Sequence, residues 1–515
     1  MTAATAAAGA PAARTNRAAV TVCIMLATIM QALDTTIANV ALPYMQGALS
    51  ASLDQINWVL TSYIVAAAIM TPPTGWLAGR FGRKRLFLTA VGGFTVASVL
   101  CGAAQSLEQM VLFRLFQGMF GAALVPLSQS VLLDTYPREQ HGSAMAIWGM
   151  GIMLGPILGP TLGGWLTEYY NWRWVFYINL PVGLLALAGM VAFLTETPRR
   201  RTMRLDWFGF GTLSLAIGAL QLMLDRGEQL DWFGSTEIVV ETVVCGVAFY
   251  LFLVHTLTTE RPFVNPGLFK DRNFATGLVL IFVVGIILLA TLALLTPFIQ
   301  NLMGYPVLTA GMVMGPRGIG TLLAMMIVGR LIRRTDPRIL ITLGLLLTAE
   351  SLWEMTGFTT DIAQWDIIRT GLVQGFGLGF IFVPLSAVTF ATLEPAQRTE
   401  GTALYNLMRN IGSSIGISIV MSRLVRGAQM NHAEIVSHVT PFNRLFEAPS
   451  VAQFWDPSTA AGQAALNAEI TRQATMMAYI DDFWLMTGMT LLTVPLVLLL
   501  RRPRDEAAPA TATPE

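Results

Sequence analysis

The chain has 515 residues, of which 54% are hydrophobic and only 12% charged, where soluble domains carry roughly a quarter charged residues. That composition excludes an ordinary water-soluble enzyme, and a net charge of +1 gives no basic surface of the kind nucleic acid requires. Lys84 and Lys270 are the only lysines, and neither stands in the Gly-Lys-Ser/Thr step of a phosphate-cradling loop, so no ATP site of that kind is encoded.

In chain order, residues 1–17 are rich in Ala and Thr and read as a disordered cytoplasmic tail, with no cleavable signal peptide. Crossing a bilayer as a helix takes about 20 apolar residues. Such segments are predicted near 18–42, 55–77, 86–105, 109–132, 143–166, 173–194, 206–225 and 236–257. A second set follows near 274–298, 307–330, 339–358, 366–388, 400–423 and 478–500, about fourteen spans in all by that length criterion. The external stretch 424–477 is far longer than the other loops, and Leu466, Ile470 and Met477 at helical spacing extend the last span outward. Residues 501–515 form a second cytoplasmic tail.

Arginine and lysine collect on alternate loops: Arg80/Arg83/Lys84/Arg85, Arg138, Arg199–Arg204, Lys270/Arg272, Arg333/Arg334/Arg338, Arg398 and Arg501–Arg504. The intervening loops 43–54, 105–108, 300–307 and 359–364 hold none. By the positive-inside rule both termini are cytoplasmic and the span number is even. Cys23, Cys101 and Cys245 are isolated in apolar segments, and the four histidines form no metal-spaced cluster, so neither metal nor cofactor is expected.

Two stretches repeat. Arg114 … Gln117-Gly118 … Pro126-Leu-Ser128 … Gly142 has a counterpart in Arg369 … Gln374-Gly375 … Pro384-Leu-Ser386 … Gly401. Gly75-Trp-Leu77 … Arg80 … Lys84 recurs as Gly329-Arg-Leu331 … Arg334 … Arg338. Parallel halves are the trace of a transporter that rocks about a central site. They divide the chain into an all-α membrane protein with a six-helix bundle at 18–195, two inserted linker helices at 205–257, and a second six-helix bundle at 273–500.

The chemistry lies in the rare polar residues of the spans. Asp34 is costly at mid-membrane and is by default functional. Gln31, Asp34 and Asn39 fall on one polar helical stripe with Thr28, Thr35 and Ala38, which turns the carboxylate toward an interior cavity. Burial favours the protonated form of any carboxyl group and a nearby cation the ionised form. A carboxylate between these influences can load and release a proton, although a structural aspartate bonded to a neighbouring helix is the competing reading. Arg114 lies too deep in its span to snorkel with ease, and is either a relay partner or a bonded structural arginine. Arg409, with Asn406 and Asn410, lines a second polar face in the C-terminal half. Glu350 and Glu354 are i, i+4 partners that carry protons or attract cations, with Arg317 able to pair with either.

Two glycine-rich stretches read as moving parts. Gly75 … Gly79-Arg80-Phe-Gly82-Arg83-Lys84 permits a tight reversal whose arginines latch the bundle, or it is a positive-inside anchor alone. Gly151 … Gly155-Pro156 … Gly159-Pro160 … Gly163 places small residues every four positions with two Gly-Pro steps, a hinge or seal rather than only a packing face.

These motifs, in this order, resemble the major facilitator superfamily and, within it, the fourteen-helix drug:proton antiporters. The glycine/arginine loop is similar to the superfamily signature after helix two, Arg114 … Gln117-Gly118 to its helix-four motif, and Gly151–Gly164 to its antiporter motif. Leu33-Asp34-Thr-Thr-Ile-Ala-Asn39-Val-Ala-Leu-Pro43 and Trp172-Arg-Trp … Asn179-Leu-Pro181 resemble stretches typical of the fourteen-helix group. Arg409-Asn410-Ile-Gly412 and the long external loop resemble EmrB-type efflux subunits. Gly79 departs from the pattern, because many members have aspartate there, so a latch must rest on Arg80 and Arg83 with other partners.

The resemblance implies a proton-coupled antiporter, not an enzyme, that exports hydrophobic or cationic toxic compounds by alternating access. With the polar faces read above, proton coupling is expected at Asp34, Arg114, Glu350 and Arg409, and a substrate cavity touching Gln31, Asn39, Gln117, Asn406 and Asn410. Gating falls to Gly75, Arg80, Gly82, Arg83, Gly151, Gly155, Pro156, Gly159 and Pro160. The resemblance further implies a cytoplasmic (inner) membrane location, an EmrA-type periplasmic adaptor and an outer-membrane channel. An exporter of one metabolite or siderophore on the same scaffold is the alternative.

Overall fold

A computed structural model describes residues 16–197, 204–440, 454–455 and 458–501. Of the predicted tails at 1–17 and 501–515, residues 1–15 and 502–515 lie outside the described residues, and Arg17 already belongs to the first helix. Every element among the described residues is helical, and eleven continuous helical runs are long and apolar enough to cross a membrane. Each of the fourteen segments expected from hydropathy falls on helix.

The N-terminal half runs α1 (Arg17–Ala48), the short α2 (Leu53–Ile56), α3 (Trp58–Met70), α4 (Thr74–Phe81), α5 (Arg83–Ala103), α6 (Leu107–Gly121), α7 (Leu124–Thr135), α8 (His141–Tyr169), α9 (Trp174–Tyr177) and α10 (Asn179–Phe193). Proline explains why three spans are broken. Pro72 and Pro73 separate α3 from α4, Pro126 withholds the amide that Ala122 would accept, and Pro181 does the same for Tyr177. Asn16 and Ser106 cap α1 and α6 by accepting backbone amides.

After α11 (Trp207–Arg226) and α12 (Thr236–Thr258) come α13 (Arg272–Pro297), α14 (Val307–Leu331), α15 (Pro337–Met355), α16 (Gln364–Ala391), α17 (Arg398–His438) and α18 (Ala460–Thr493). Here Pro384, the repeat partner of Pro126, stays inside the uninterrupted α16. With 41 residues, α17 is roughly 60 Å long at 1.5 Å per residue, about twice the hydrocarbon thickness. It and α18, which takes in Leu466, Ile470 and Met477 ahead of the last span, project together beyond the apolar region at the arginine-poor end.

In the N-terminal half α1 packs on α8 and α10, α3 on α6, and α5 on α6 and α10; in the C-terminal half α13 packs on α17, α14 on α16, and α18 on α15 and α17. The apolar cores reveal how the halves meet. At the end bearing the arginine-rich loops, one buried cluster runs through both halves, with Ile24, Phe87 and Leu132 in it alongside Phe274, Leu345 and Phe390. Toward the arginine-poor end each half keeps its own cluster, around Ile37, Val59 and Phe176 in one and Leu294, Phe298 and Phe483 in the other. Among the described residues, the buried apolar cluster shared by the two halves is the one at the arginine-rich end.

The inserted helix α11 touches both halves. Asp225 accepts a hydrogen bond from Thr61 on α3, Arg226 lies over the Trp58 ring, and Gln221 accepts one from Ser414 on α17 at 3.0 Å. His255 of α12 meets Asp206, the N-cap of α11, at 2.9 Å and closes the inserted pair on itself.

Candidate functional site

Asp34 lies midway along α1 and is fully buried. Its carboxylate meets donors from two other helices. Arg114 of α6 donates from Nη1 to Oδ2 at 2.8 Å, Gln117, nearly one turn on, donates from Nε2 to Oδ1 at 2.7 Å, and Asn179 at the start of α10 donates to Oδ1 at 2.9 Å. All three partners are donors, an arrangement that suits a carboxylate and leaves a carboxylic acid proton without an acceptor.

The shell outside this set is equally complete. Arg114 Nε donates to the Val59 carbonyl at 3.0 Å and Nη1 to Gln117 Oε1 at 2.9 Å, while the guanidinium lies 4.3 Å from the centre of the Tyr63 ring. Asn179 donates to Ser98 Oγ, which donates to the Phe176 carbonyl. Gln31 donates to Tyr63 Oη at 3.3 Å. One charge pair, buried among aromatic rings, thus joins α1, α3, α5, α6 and α10.

Glycines of α8 hold α1 at this level. A side-chain carbon at Gly155 would strike Ala32, one at Gly159 would strike Thr36, and one at Gly151 would strike Met25; Thr36 Oγ1 also donates to the Gly155 carbonyl at 3.0 Å. These residues stand in the continuous helix α8, so the small-residue register is a packing face against the turn that carries Asp34. Pro156 and Pro160 are in the same helix, and their side chains lie outside the described residues.

The second polar assembly joins the halves at the arginine-rich end. Asp134, at the end of α7, is held between Arg83 of α5 and Arg398 of α17, the latter at 2.5 Å. Arg83 also donates to the Pro395 carbonyl at 3.2 Å and Arg398 to the Leu133 carbonyl at 3.1 Å. Nearby, Ser130 bonds Thr399, Thr402 donates to the Pro126 carbonyl, and Ser143 donates to the Gly329 carbonyl. Gly75 abuts the backbone of Glu400, leaving no room for a side chain there. Gly82 has φ +94 and faces Glu196, whose carboxylate accepts from the Lys84 amide. Arg80 is half-buried in the last turn of α4.

Of the residues singled out from sequence, the structure gathers Asp34, Arg114 and Gln117 in one network and sets Gln31 on its edge. Asn39 is exposed on α1. Asn406 is not open to a cavity: it is buried and donates to Gln129 across the two halves at 2.6 Å. Arg409 donates to its neighbour Asn410, which is exposed. Glu350 is exposed on α15, and Arg317 pairs with neither it nor Glu354, because Arg369 takes Glu354 at 2.9 Å. Neither Glu350 nor Arg409 bonds a member of the Asp34 network among the described residues. Asn179, Tyr63 and Asp134 were not singled out. Asn179 sits inside the Trp172–Pro181 stretch, and Asp134 is an acid beside an arginine-bearing loop, a placement that could have marked it.

Comparison with known proteins agrees with this architecture. A Major Facilitator Superfamily profile matches residues 24–417. The Multidrug export protein EmrB of Escherichia coli (strain K12) is 36% identical over 494 residues, covering 94% of this chain and 95% of that protein. The Fatty acid resistance protein FarB of Neisseria gonorrhoeae is 35% identical over 493 residues, covering 94% and 96%. The human organic anion transporter MFSD10 (TETRAN) shares the fold, with a TM-score of 0.56 at 15% identity over 92% of this chain and 99% of that one. The chain therefore belongs to the Major Facilitator Superfamily, as an EmrB-like multidrug efflux protein.

Proposed function

We propose that this protein exports hydrophobic, often cationic, toxic compounds in exchange for protons, by alternating access between two six-helix bundles. The observation that carries the reading is the burial of Asp34 against Arg114, Gln117 and Asn179. A proton arriving at Asp34 removes the charge that Arg114 and two amides face, and so releases α6 and α10 from α1. Loss of the proton restores the pairing. Protonation state is thereby tied to the packing of three helices in the same half. A cationic substrate near the carboxylate competes with the proton, and an inward-negative potential adds about 2.3 kcal/mol per charge per 100 mV.

With fourteen spans and both termini cytoplasmic, the joined, arginine-rich end is the cytoplasmic face. The state described is then closed to the cytoplasm, with Arg83, Asp134 and Arg398 as its latch. In an inner membrane the projecting ends of α17 and α18 stand on the periplasmic side, where an EmrA-type adaptor leading to an outer-membrane channel would meet them.

The decisive measurement is substrate movement in proteoliposomes under an imposed pH gradient. Asp34→Asn is expected to abolish gradient-driven accumulation while leaving downhill exchange measurable. Undiminished accumulation in that variant would remove Asp34 from the coupling role.

A further inference from the structure

A second buried carboxylate is tied to an arginine, and it is far less completely bonded than Asp34. Asp482 of α18 is 1% exposed. Its Oδ1 accepts from Arg423 Nε of α17 at 3.2 Å, and its Oδ2 has no partner. Asp34, by contrast, receives three donors spread over both of its oxygens. The Arg423 contact runs through Nε rather than through a two-pronged pair, the stronger arrangement for a carboxylate. The Arg423 side chain is 52% exposed, and the residue closes the apolar run 400–423.

The pair is one rung of a ladder that joins the two helices where they leave the apolar region. Arg423 meets Asp482, a side-chain carbon at Gly427 would crowd Ala478, and Asn431 donates to the Ala474 carbonyl at 3.4 Å. Farther out, His432 bonds Asn467 at 3.0 Å. Among the described residues, Arg423–Asp482 is the only charged rung between α17 and α18. On α18 its neighbours are the exposed Asp481 and the buried Tyr479, and on α17 the exposed Arg426. From the other helices packed on α18, α13 holds no titratable residue after Arg272, and the Glu354 of α15 is taken by Arg369 while Glu350 is exposed. The remaining surroundings are aromatic, with Tyr479 against Phe298 and Phe483 against Phe358.

A buried ionised oxygen without a donor is far costlier than a buried neutral one. A proton on Oδ2 removes that cost and also the charge that holds Arg423, whose half-exposed guanidinium then turns to water. The geometry points to Asp482 as a second proton-binding carboxyl, in the C-terminal half. Ionised, it clasps Arg423 and pins α17 to α18; protonated, it lets the root of the projecting pair loosen. The inference rests on the proton-exchange reading for the direction of supply, since protons then arrive from the arginine-poor side on which this clasp lies. The same helix α17 carries Arg398, roughly 38 Å from Arg423 at 1.5 Å per residue. One element thus bears an arginine held by Asp134 near its start and an arginine held by Asp482 where it leaves the apolar region.

The test reads the proton and the clasp separately, on the full-length protein in phosphatidylcholine nanodiscs. Infrared difference spectra on acidification are expected to show a carboxylic acid band that Asp482→Asn loses and Asp34→Asn keeps. For the clasp, spin labels at Met430→Cys and Ala468→Cys report the separation of the projecting helices. Their parent has Cys23, Cys101 and Cys245 replaced and carries His432→Gln, so that the nearby imidazole does not contribute. In this parent the separation is expected to change with pH, in Asp482→Asn to stay at its low-pH value throughout, and in Asp482→Glu to follow pH again. Arg423→Gln, at a half-exposed position, serves should Asp482→Asn fail to fold: it is expected to keep the acid band and lose the pH response. The proposal is overturned by an unchanged band in Asp482→Asn, by a parent separation that ignores pH, or by a pH response that survives in Asp482→Asn or Arg423→Gln. Loss of the band in Asp482→Asn alongside wild-type transport indifferent to a pH gradient would refute proton exchange and leave the proton site standing. Gradient-driven transport with an Asp482→Asn spectrum identical to wild type would refute the site alone.

Discussion

The Asp34–Arg114 pair is buried to the point that each member depends on the other. Removing one partner of such a pair strands a charge and costs about 3–5 kcal/mol, while replacing both by neutral groups costs far less. Arg114→Ala is therefore expected to lower the unfolding midpoint of the detergent-purified protein sharply, and Asp34→Asn to rescue part of that loss in the double variant. A double variant whose destabilisation equals the sum of the two singles would show that they do not interact. Asp34 and Arg114 were legible in the sequence because a charge within an apolar run announces itself, and Gln117 because it stands in the repeated Arg114 … Gln117-Gly118 stretch. Asn179 was not, since an asparagine at a helix start has many uses and its choice of partner 145 residues away appears only after folding. The partner of Asn406 was hidden for a related reason: a polar helical face identifies what needs a partner, but water, substrate and the opposing helix satisfy it equally well.

At the level of elements, the proposed latch is one carboxylate serving two arginines from different halves. Asp134 contributes charge-assisted bonds to Arg83 and Arg398, each worth about 1.5–3 kcal/mol. Replacing it with alanine leaves two guanidinium groups facing each other across the joint between α5 and α17. In a background with Cys23, Cys101 and Cys245 replaced, a Ser130→Cys probe is expected to react about tenfold faster with a membrane-impermeant maleimide supplied at the arginine-rich face when Asp134→Ala is added. An unchanged rate would show that the apolar cluster alone keeps this end shut. The absence of an acid at Gly79 had already required arginine partners from elsewhere, but sequence order could not select Asp134, because a latch between halves is a property of how they meet. Helices themselves were readable from apolar length. Where a span breaks was less so, as Pro126 interrupts its helix and its repeat partner Pro384 does not; packing in each half decides whether a missing amide is tolerated.

Across the whole molecule, the two flanks along which the halves adjoin are dissimilar. One is formed by α8 and α14, which touch at Ser143 and Gly329, at Gly149 and Met325, and as far as Ile157 and Gly318. Beyond that, side chains at Gly164, Gly311 or Gly315 would meet nothing within 4 Å. The other flank lies between α3 and α17, and α11 is bonded to both. For a compound already dissolved in the bilayer, that difference amounts to handedness: α11 is bonded across one flank, and among the described residues no such helix spans the other. The two inserted helices are therefore expected to bias the side from which lipid-borne molecules reach the interior. An apolar photoreactive probe partitioned into the membrane should label α8 and α14 near Gly164 and Gly311 and spare the facing surfaces of α3 and α17. Equal labelling of both flanks would mean that the inserted pair offers no barrier to entry from the lipid.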